Sequence, residues 1–219
     1  MTCIAPSLVL TTDAAREFGA IAEGVIATEY LRDIGHAAFF PAPPAMDFMD
    51  ISQGFGNRSL YAAFLVSKHP GLSAEQLTRL SDNGLVKIPD LATFAPPVRS
   101  EFYEVKPNSS SGVAAGKVKI ANIHALYQSL GLPYVPGMQW NPNTRITIFS
   151  GSLLGLEVDV YFHFFKLQPG LVVYEVCVEG RGRPLTNAEI AAVAAAVLIA
   201  LIVAVYFGLA AAGGVLILA

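Results

Sequence analysis

The fold is decided by the stretch VKIPDLATFAPPVRSEFYEVKP (86–107). Its two ends, 86–94 and 101–107, are short runs of apolar and β-prone residues. The sequence APPVR (95–99) between them is rich in turn-forming residues. We therefore predict that the two runs are strands that pair as a hairpin.

Three charged side chains, Asp90, Glu104 and Lys106, converge at one end of this predicted hairpin. Two carboxylates and an ammonium group placed side by side cost free energy unless something compensates them. A divalent cation would compensate the carboxylates, and the lysine would then lie beside an attacking water molecule. The pattern is typical of a site that hydrolyses phosphodiesters.

Length and charge limit the classes of protein that fit this sequence. A chain of 219 residues accommodates one domain of ordinary size and an extension. The net charge of −3 argues against a protein that coats nucleic acid over its whole surface. The segment 66–150, with eight basic and five acidic residues, is the most basic part of the chain and contains the three charged residues.

The two cysteines, Cys3 and Cys177, lie far apart in the sequence and show neither a disulfide framework nor the spacing of a zinc site. We expect both to be reduced, in an intracellular protein. The first eighteen residues contain no basic leader, so they do not resemble a cleaved signal peptide. Export, if it occurs, would use a route without such a peptide.

Periodicity and breaker residues predict the remaining elements. Helices are predicted over 13–35, 59–68, 73–82 and 112–130, and further strands over 144–150, 156–167 and 171–179. Together with the hairpin, this order indicates an α/β fold with a mixed sheet flanked by helices.

The C-terminal segment differs in composition from the rest, because no charged residue follows Glu189. Thr186 and Glu189 fit a capping box that starts a helix. A helix over 187–212 would be roughly 38 Å long, which exceeds the roughly 30 Å core of a bilayer. We therefore predict that this helix inserts into a membrane.

The predicted organisation has three parts: an α/β domain (1–180), a linker (181–185) and the hydrophobic helix (186–219). Two arginines of the linker, Arg181 and Arg183, directly precede the helix. Basic residues flanking a membrane span favour the cytoplasmic side. We expect a membrane-associated protein whose globular domain is cytoplasmic.

The pair Pro89-Asp90, followed fourteen residues after the aspartate by Glu104-Val105-Lys106, resembles the motif of the PD-(D/E)xK phosphodiesterases, the restriction-endonuclease-like superfamily. The predicted order of helix, hairpin, helix and further strands is similar too. The resemblance implies that Asp90, Glu104 and the carbonyl oxygen of Val105 bind Mg²⁺ or Mn²⁺. It also implies that Lys106 orients or deprotonates the attacking water and balances the charge of the reacting phosphate.

Members of that superfamily often add an acidic residue from the first helix. Glu29 is the candidate that we prefer to Glu17 and Glu23, because it follows Val25 by four residues and Ile21 by eight. This spacing places Glu29 on the apolar face, towards the sheet. The alternative is a solvent-exposed acid near the end of the helix.

Three basic residues are candidates for contacts with the phosphate backbone of nucleic acid. Lys117 and Lys119 lie on the helix that follows the motif, and Arg99 lies in the turn of the hairpin. A solvated helix face explains the two lysines equally well.

Two functions remain open at this point. The first is a metal-dependent nuclease with a hydrophobic tail, similar by analogy to toxins delivered between bacteria, with an immunity protein or a secretion carrier as partner. The second is a tail-anchored interaction or structural protein without catalysis. The sequence does not distinguish DNA from RNA as the substrate.

Overall fold

The computed structural model describes residues 1–34, 38–39, 61, 64–82, 88–96 and 100–207. The helices are α1 (Thr12–Ile34), α2 (Ala74–Asp82), α3 (Ser110–Ser129) and α4 (Asn187–Tyr206). The strands are β1 (Thr2–Ile4), β2 (Ala38–Phe39), β3 (Leu91–Thr93), β4 (Ser100–Pro107), β5 (Tyr134–Pro136), β6 (Asn143–Leu153), β7 (Leu156–Gln168) and β8 (Leu171–Gly180).

The strands form one mixed sheet in the order β2-β3-β4-β8-β7-β6, with β1 beside β8 and β5 beside β4. Strand β4 runs parallel to β5 and to β8, and the other pairs are antiparallel. Tight turns join β6, β7 and β8, whereas α3 provides the longer connection that parallel neighbours require. The predicted α/β fold, with a mixed sheet and flanking helices, is confirmed.

Two hydrophobic cores lie on opposite faces of the sheet because side chains alternate along each strand. Val172 and Tyr174 of β8 face α1 and α4, where Phe18 is a buried aromatic partner. Leu171 and Val173 of β8 face α3. Glu104 shares this second face with Phe102 through the same alternation, and this places it towards α3.

Most predicted elements have counterparts within the described residues. Helices α1, α2 and α3 cover the predicted ranges to within two residues at each end, and strands β6, β7 and β8 contain the three predicted runs. The predicted hairpin is formed by β3 and β4. Of the helix predicted over 59–68, residues 61 and 64–68 are helical, and the remainder lies outside the described residues.

Helix α4 is long and apolar enough to cross a membrane, by length and composition alone. One face of it packs against α1 and the sheet and is buried, with Val193 and Leu198 completely covered. The opposite face is apolar as well, and Ile199 is 51% exposed. The helix is therefore part of the domain core as well as a candidate membrane segment. Residues 208–219 lie outside the described residues.

The prediction of two reduced, unpaired cysteines is wrong. Strand β1 pairs antiparallel with β8, and this register places Cys3 directly opposite Cys177. Their Cα atoms lie 3.9 Å apart and the two residues form a disulfide. Sequence spacing gave no sign of the pair, because 174 residues separate the cysteines and only the strand register brings them together.

Candidate functional site

The register of the β3–β4 hairpin places Asp90 beside the second half of β4. Leu91 pairs with Tyr103, so Asp90, one residue before it, lies opposite Glu104. Asp90 Oδ2 accepts a 2.7 Å hydrogen bond from the backbone N–H of Val105. Val105 lies beyond the residue that pairs with the first residue of β3, so the Asp90 carboxylate, rather than a β3 carbonyl, accepts the hydrogen bond of the Val105 amide. This contact fixes Asp90 on β4.

Two lysines join Asp90 to Glu104. Lys106 of β4 places Nζ 3.4 Å from Asp90 Oδ2 and in direct contact with Glu104 Oε1. Lys119 of α3 places Nζ 3.3 Å from Asp90 Oδ1 and 2.7 Å from Glu104 Oε1. With Glu23, described below, these four residues form what we call the β4-edge cluster. The structure therefore brings together Asp90, Glu104, Lys106 and Lys119, all of which the sequence singled out.

Lys119 reaches the cluster because α3 lies very close to β4. A Cβ atom at Gly116 would lie 2.7 Å from Leu171 Cδ1 and 3.2 Å from Lys106 Cγ. At Gly112, a Cβ atom would lie only 2.4 Å from the carbonyl oxygen of Pro107. The two glycines, four residues apart on one helix face, permit this approach. The spacing is visible in the sequence and is a signal for helix packing.

Burial and charge shift the pKa values of the cluster in opposite directions. Burial, reinforced by the neighbouring Asp90, raises the pKa of Glu104 to about 7. Burial also opposes ionisation of Asp90, but Lys106 and Lys119 outweigh it and lower the Asp90 pKa to about 2. Burial tends to lower the pKa of each lysine, but the surrounding carboxylates outweigh it and raise both. The ammonium groups therefore stay charged beside the acids.

Glu23 of α1 lies near enough to Asp90, Glu104 and the two lysines to interact with their charges. Burial, followed by repulsion from Asp90 and Glu104, raises the pKa of Glu23 to about 8. The preferred candidate, Glu29, instead forms a salt bridge with Arg32, in which Arg32 Nη1 lies 2.9 Å from Glu29 Oε1. Six residues separate the two glutamates, so they lie about 120° apart around the helix. The structure thus pairs Glu29 with Arg32 and brings Glu23, rather than Glu29, near the charges of Asp90 and Glu104.

The other predicted site residues have different surroundings. The carbonyl oxygen of Val105 accepts a 2.8 Å hydrogen bond from Lys106 Nζ. Lys117 is exposed on α3, two residues before Lys119, and lies apart from the cluster. Arg99 lies outside the described residues.

One atom of the cluster has no partner within the described part of the chain. Glu104 Oε2 is buried and accepts no hydrogen bond, and the whole Glu104 residue is fully covered. A buried carboxylate oxygen without a partner costs free energy. The Asp90 and Glu104 carboxylates lie side by side here, with Glu23 of α1 near enough to interact with their charges, and carboxylate oxygens are the ligands that Mg²⁺ and Mn²⁺ prefer. The donor set therefore fits such a cation.

Comparisons of this chain with protein-family models, with curated proteins and with solved structures give no match.

Proposed function

We propose that this protein is a metal-dependent phosphodiesterase that hydrolyses nucleic acid at the β4-edge cluster. The observation that carries the proposal is Glu104 Oε2, a buried and unpartnered carboxylate oxygen beside two further acids and two lysines. The hairpin of β3 and β4 followed by α3 supports the restriction-endonuclease-like resemblance, since it places Asp90 and Glu104 side by side.

The acids would bind the cation from different protonation states. Asp90 is fixed by the Val105 amide and is ionised at neutral pH, because its pKa is about 2. Glu104 and Glu23, with pKa values of about 7 and 8, would lose their protons on binding a cation. Bound Mg²⁺ or Mn²⁺ would act as a Lewis acid on the phosphate oxygens.

The lysines supply positive charge where the substrate carries negative charge. In this structure, Lys106 Nζ contacts Glu104, Asp90 and the carbonyl oxygen of Val105. A cation held by the acids would take over part of this pairing, which leaves the ammonium group free to orient water and to stabilise the additional charge of the reacting phosphate. Lys119 contacts the same acids from the helix side and can play the second part of this role.

The test is cleavage of single-stranded DNA, double-stranded DNA and RNA by the full chain with Mg²⁺, with Mn²⁺ and with EDTA. The full chain is needed because α4 forms part of the core. We expect cleavage that EDTA abolishes and that Lys106→Ala lowers by about 100-fold or more. The substrate that is cleaved fastest identifies the nucleic-acid class.

A matched control separates loss of the site from loss of the fold. Glu179→Gln changes an exposed acid near the end of β8, on the far side of the disulfide from β4. This variant should cleave at the rate of the unaltered chain. Absence of cleavage on all three substrates by a folded, metal-loaded chain would disprove the proposal. Cleavage at the unaltered rate in the folded Lys106→Ala variant would separate the activity from the β4-edge cluster and assign it to a contaminant.

The second candidate function, a tail-anchored protein without catalysis, is favoured by the outer face of α4. Ile199, Val203, Tyr206 and Phe207 are exposed apolar residues on or just after this helix. Sedimentation of the full chain with lipid vesicles tests attachment to a membrane. Binding to vesicles without any cleavage would favour this candidate, and the two functions can coexist in one chain. The toxin context and its partners stay predictions from the sequence.

A further inference from the structure

A second polar cluster lies where β1 meets β8 and β7. The cross-strand registers pair Cys3 with Cys177 and His163 with Glu175. Cys177 and Glu175 are two residues apart on β8 and therefore point to the same face of the sheet. One ligand atom from each of the four residues lies within 4.8 Å of every other. We call these four residues the thiol–imidazole cluster.

Two asparagines hold this cluster from outside. Asn143 Oδ1 lies 2.9 Å from His163 Nε2, and Asn108 Nδ2 donates a 2.7 Å hydrogen bond to Glu175 Oε2. The remaining atoms, His163 Nδ1 and Glu175 Oε1, face each other at 2.9 Å. His163 Nε2 and Glu175 Oε2 are thus engaged by the asparagines, which leaves His163 Nδ1 and Glu175 Oε1 as the atoms available to a metal ion.

The arrangement is that of a metal site with its supporting shell. Histidines that bind metals almost always donate their second ring N–H to an oxygen acceptor, which fixes the ring and the tautomer. Asn143 provides such an acceptor for His163. Two thiolates, an imidazole nitrogen and a carboxylate oxygen are a ligand set that zinc takes in tetrahedral geometry. Thiolates select zinc over Mg²⁺, which prefers oxygen.

We propose that the reduced chain binds one zinc ion through Cys3, Cys177, His163 Nδ1 and Glu175 Oε1. Tetrahedral zinc with bonds of about 2.0–2.3 Å holds its ligand atoms roughly 3.3–3.8 Å apart. Ligand atoms within 4.8 Å of one another therefore need only a small movement to reach it. His163 and Cys177 are buried, so the site would be closed on the β8 side and reached past Cys3.

The disulfide and the zinc site are alternative states of the same two sulfur atoms. Reduction by a phosphine cleaves the Cys3–Cys177 bond: the phosphine takes oxygen from water and becomes the oxide, and the two sulfurs become thiols. Zinc binding then releases one proton from each thiol, because thiolates are the ligands. Reoxidation by a disulfide of a small thiol reverses this: two electrons pass from the protein thiolates to the small disulfide, whose sulfur–sulfur bond breaks to give two small thiolates, while the Cys3–Cys177 bond forms again and zinc is released.

The experiment compares the full chain in its oxidised and reduced states, each freed of metal beforehand. Cobalt is the optical probe, since Co²⁺ bound by thiolates gives charge-transfer and d–d absorption bands, and zinc is added afterwards to displace it. We expect one cobalt per reduced chain, displaced by one zinc. The oxidised chain should show no thiolate band. Far-ultraviolet circular dichroism follows the fold throughout.

Variants identify the ligands. Cys177→Ser should lower the affinity of the reduced chain for cobalt by about 100-fold or more, and Asn143→Ala by about 10-fold. Glu179→Gln is the control, since it changes an acid of the same strand and face, two residues beyond Cys177. It should bind cobalt as the unaltered chain does.

Three results would overturn the proposal: no thiolate band in the reduced chain, a band that Cys177→Ser retains at full affinity, or a reduced chain that stays unfolded when zinc is added. If reduction unfolds the chain and zinc restores the fold, the proposal is supported, because zinc binding then drives folding. The assay needs no nucleic acid and no Mg²⁺, so its outcome is independent of the proposed nuclease activity.

Discussion

The two polar clusters on this sheet contrast in their chemistry. The β4-edge cluster combines carboxylates with two ammonium groups, and Lys106 and Lys119 contact three of the four carboxylate oxygen atoms of Asp90 and Glu104. The thiol–imidazole cluster has sulfur, nitrogen and oxygen atoms, and no lysine or arginine contacts them among the described residues. The first set suits an exchangeable hard cation, and the second suits a firmly held zinc ion.

The difference shows what the lysines contribute. A cation bound only for structure is best held by ligands that carry the whole compensating charge, and asparagines suffice to orient them. Lysines at a cation site instead weaken cation binding, because they compete for the carboxylates. Lysines at a cation site are favourable where a second anion, such as a phosphate, binds beside the cation, because they stabilise its negative charge. The composition of the β4-edge cluster therefore favours catalysis over a structural role.

The largest expected effect is on cleavage when Glu104 is changed. Glu104→Gln removes the charge of the buried, unpartnered carboxylate while keeping its shape. We expect a loss of about 1,000-fold in the rate of Mg²⁺-dependent cleavage, because cation binding and charge balance fail together. Rates under single-turnover conditions and calorimetric titration with Mn²⁺ measure the two parts. A variant that cleaves within a factor of ten of the unaltered chain would contradict the role of Glu104.

Glu23 and Glu29 form a matched pair on one helix. Glu23→Gln should lower Mn²⁺ affinity by about 10–100-fold, because it removes an acid next to Asp90 and Glu104. Glu29→Gln removes the salt bridge between the largely covered Glu29 carboxylate and the exposed Arg32, and should bind Mn²⁺ normally. Titration calorimetry compares the two. The reverse order of affinities would restore the interpretation drawn from the apolar spacing of α1.

Much of the fold could be predicted from the sequence, because long elements have strong local signals. The alternation in β7, the Ser109 cap of α3 and the capping box of α4 each depend on nearby residues. The motif residues Asp90 and Glu104 could be found because the hairpin that joins them is local. Glu23 and the Cys3–Cys177 pair could not, since only tertiary packing and strand register place them. A uniformly apolar α4 gave no sign of which face packs on the core.

A smaller effect is expected in the dependence of stability on pH. Glu23 has a pKa of about 8 in the folded chain and 4.5 ordinarily, so the folded state holds more protons between these values. The free energy of unfolding should therefore fall as the pH rises from 5 to 8 in EDTA, and the Glu104 pKa of about 7 adds to the fall. The Asp90 contribution is constant over this range, because its pKa is about 2.

Urea denaturation at pH 5, 6.5 and 8 measures this slope. Glu23→Gln carries no titrating group at this position. Subtraction of its curve therefore removes the contributions of distant groups, such as His69, whose pKa burial lowers. The unaltered chain should lose more stability than the variant between pH 5 and 8. Parallel curves would show that Glu23 ionises normally, and the third acid would then be removed from the cluster.

The smallest expected effect is on cleavage when the disulfide is reduced. On β8, Leu171 lies opposite Glu104, and Cys177 is six residues further along, roughly 20 Å at the usual rise of a strand. The separation holds for the sulfur atoms, whereas Lys106 lies opposite Val173, two residues before Glu175. A change confined to the distant sulfur atoms should couple to the carboxylates by less than about 0.5 kcal/mol, which is about twofold in rate. We therefore expect the oxidised chain and the reduced, zinc-loaded chain to cleave within about twofold of each other at saturating Mg²⁺. A larger change that follows the thiol state would show that β8 transmits strain from one cluster to the other, through the contact of Asn108 with Glu175 at the end of β4.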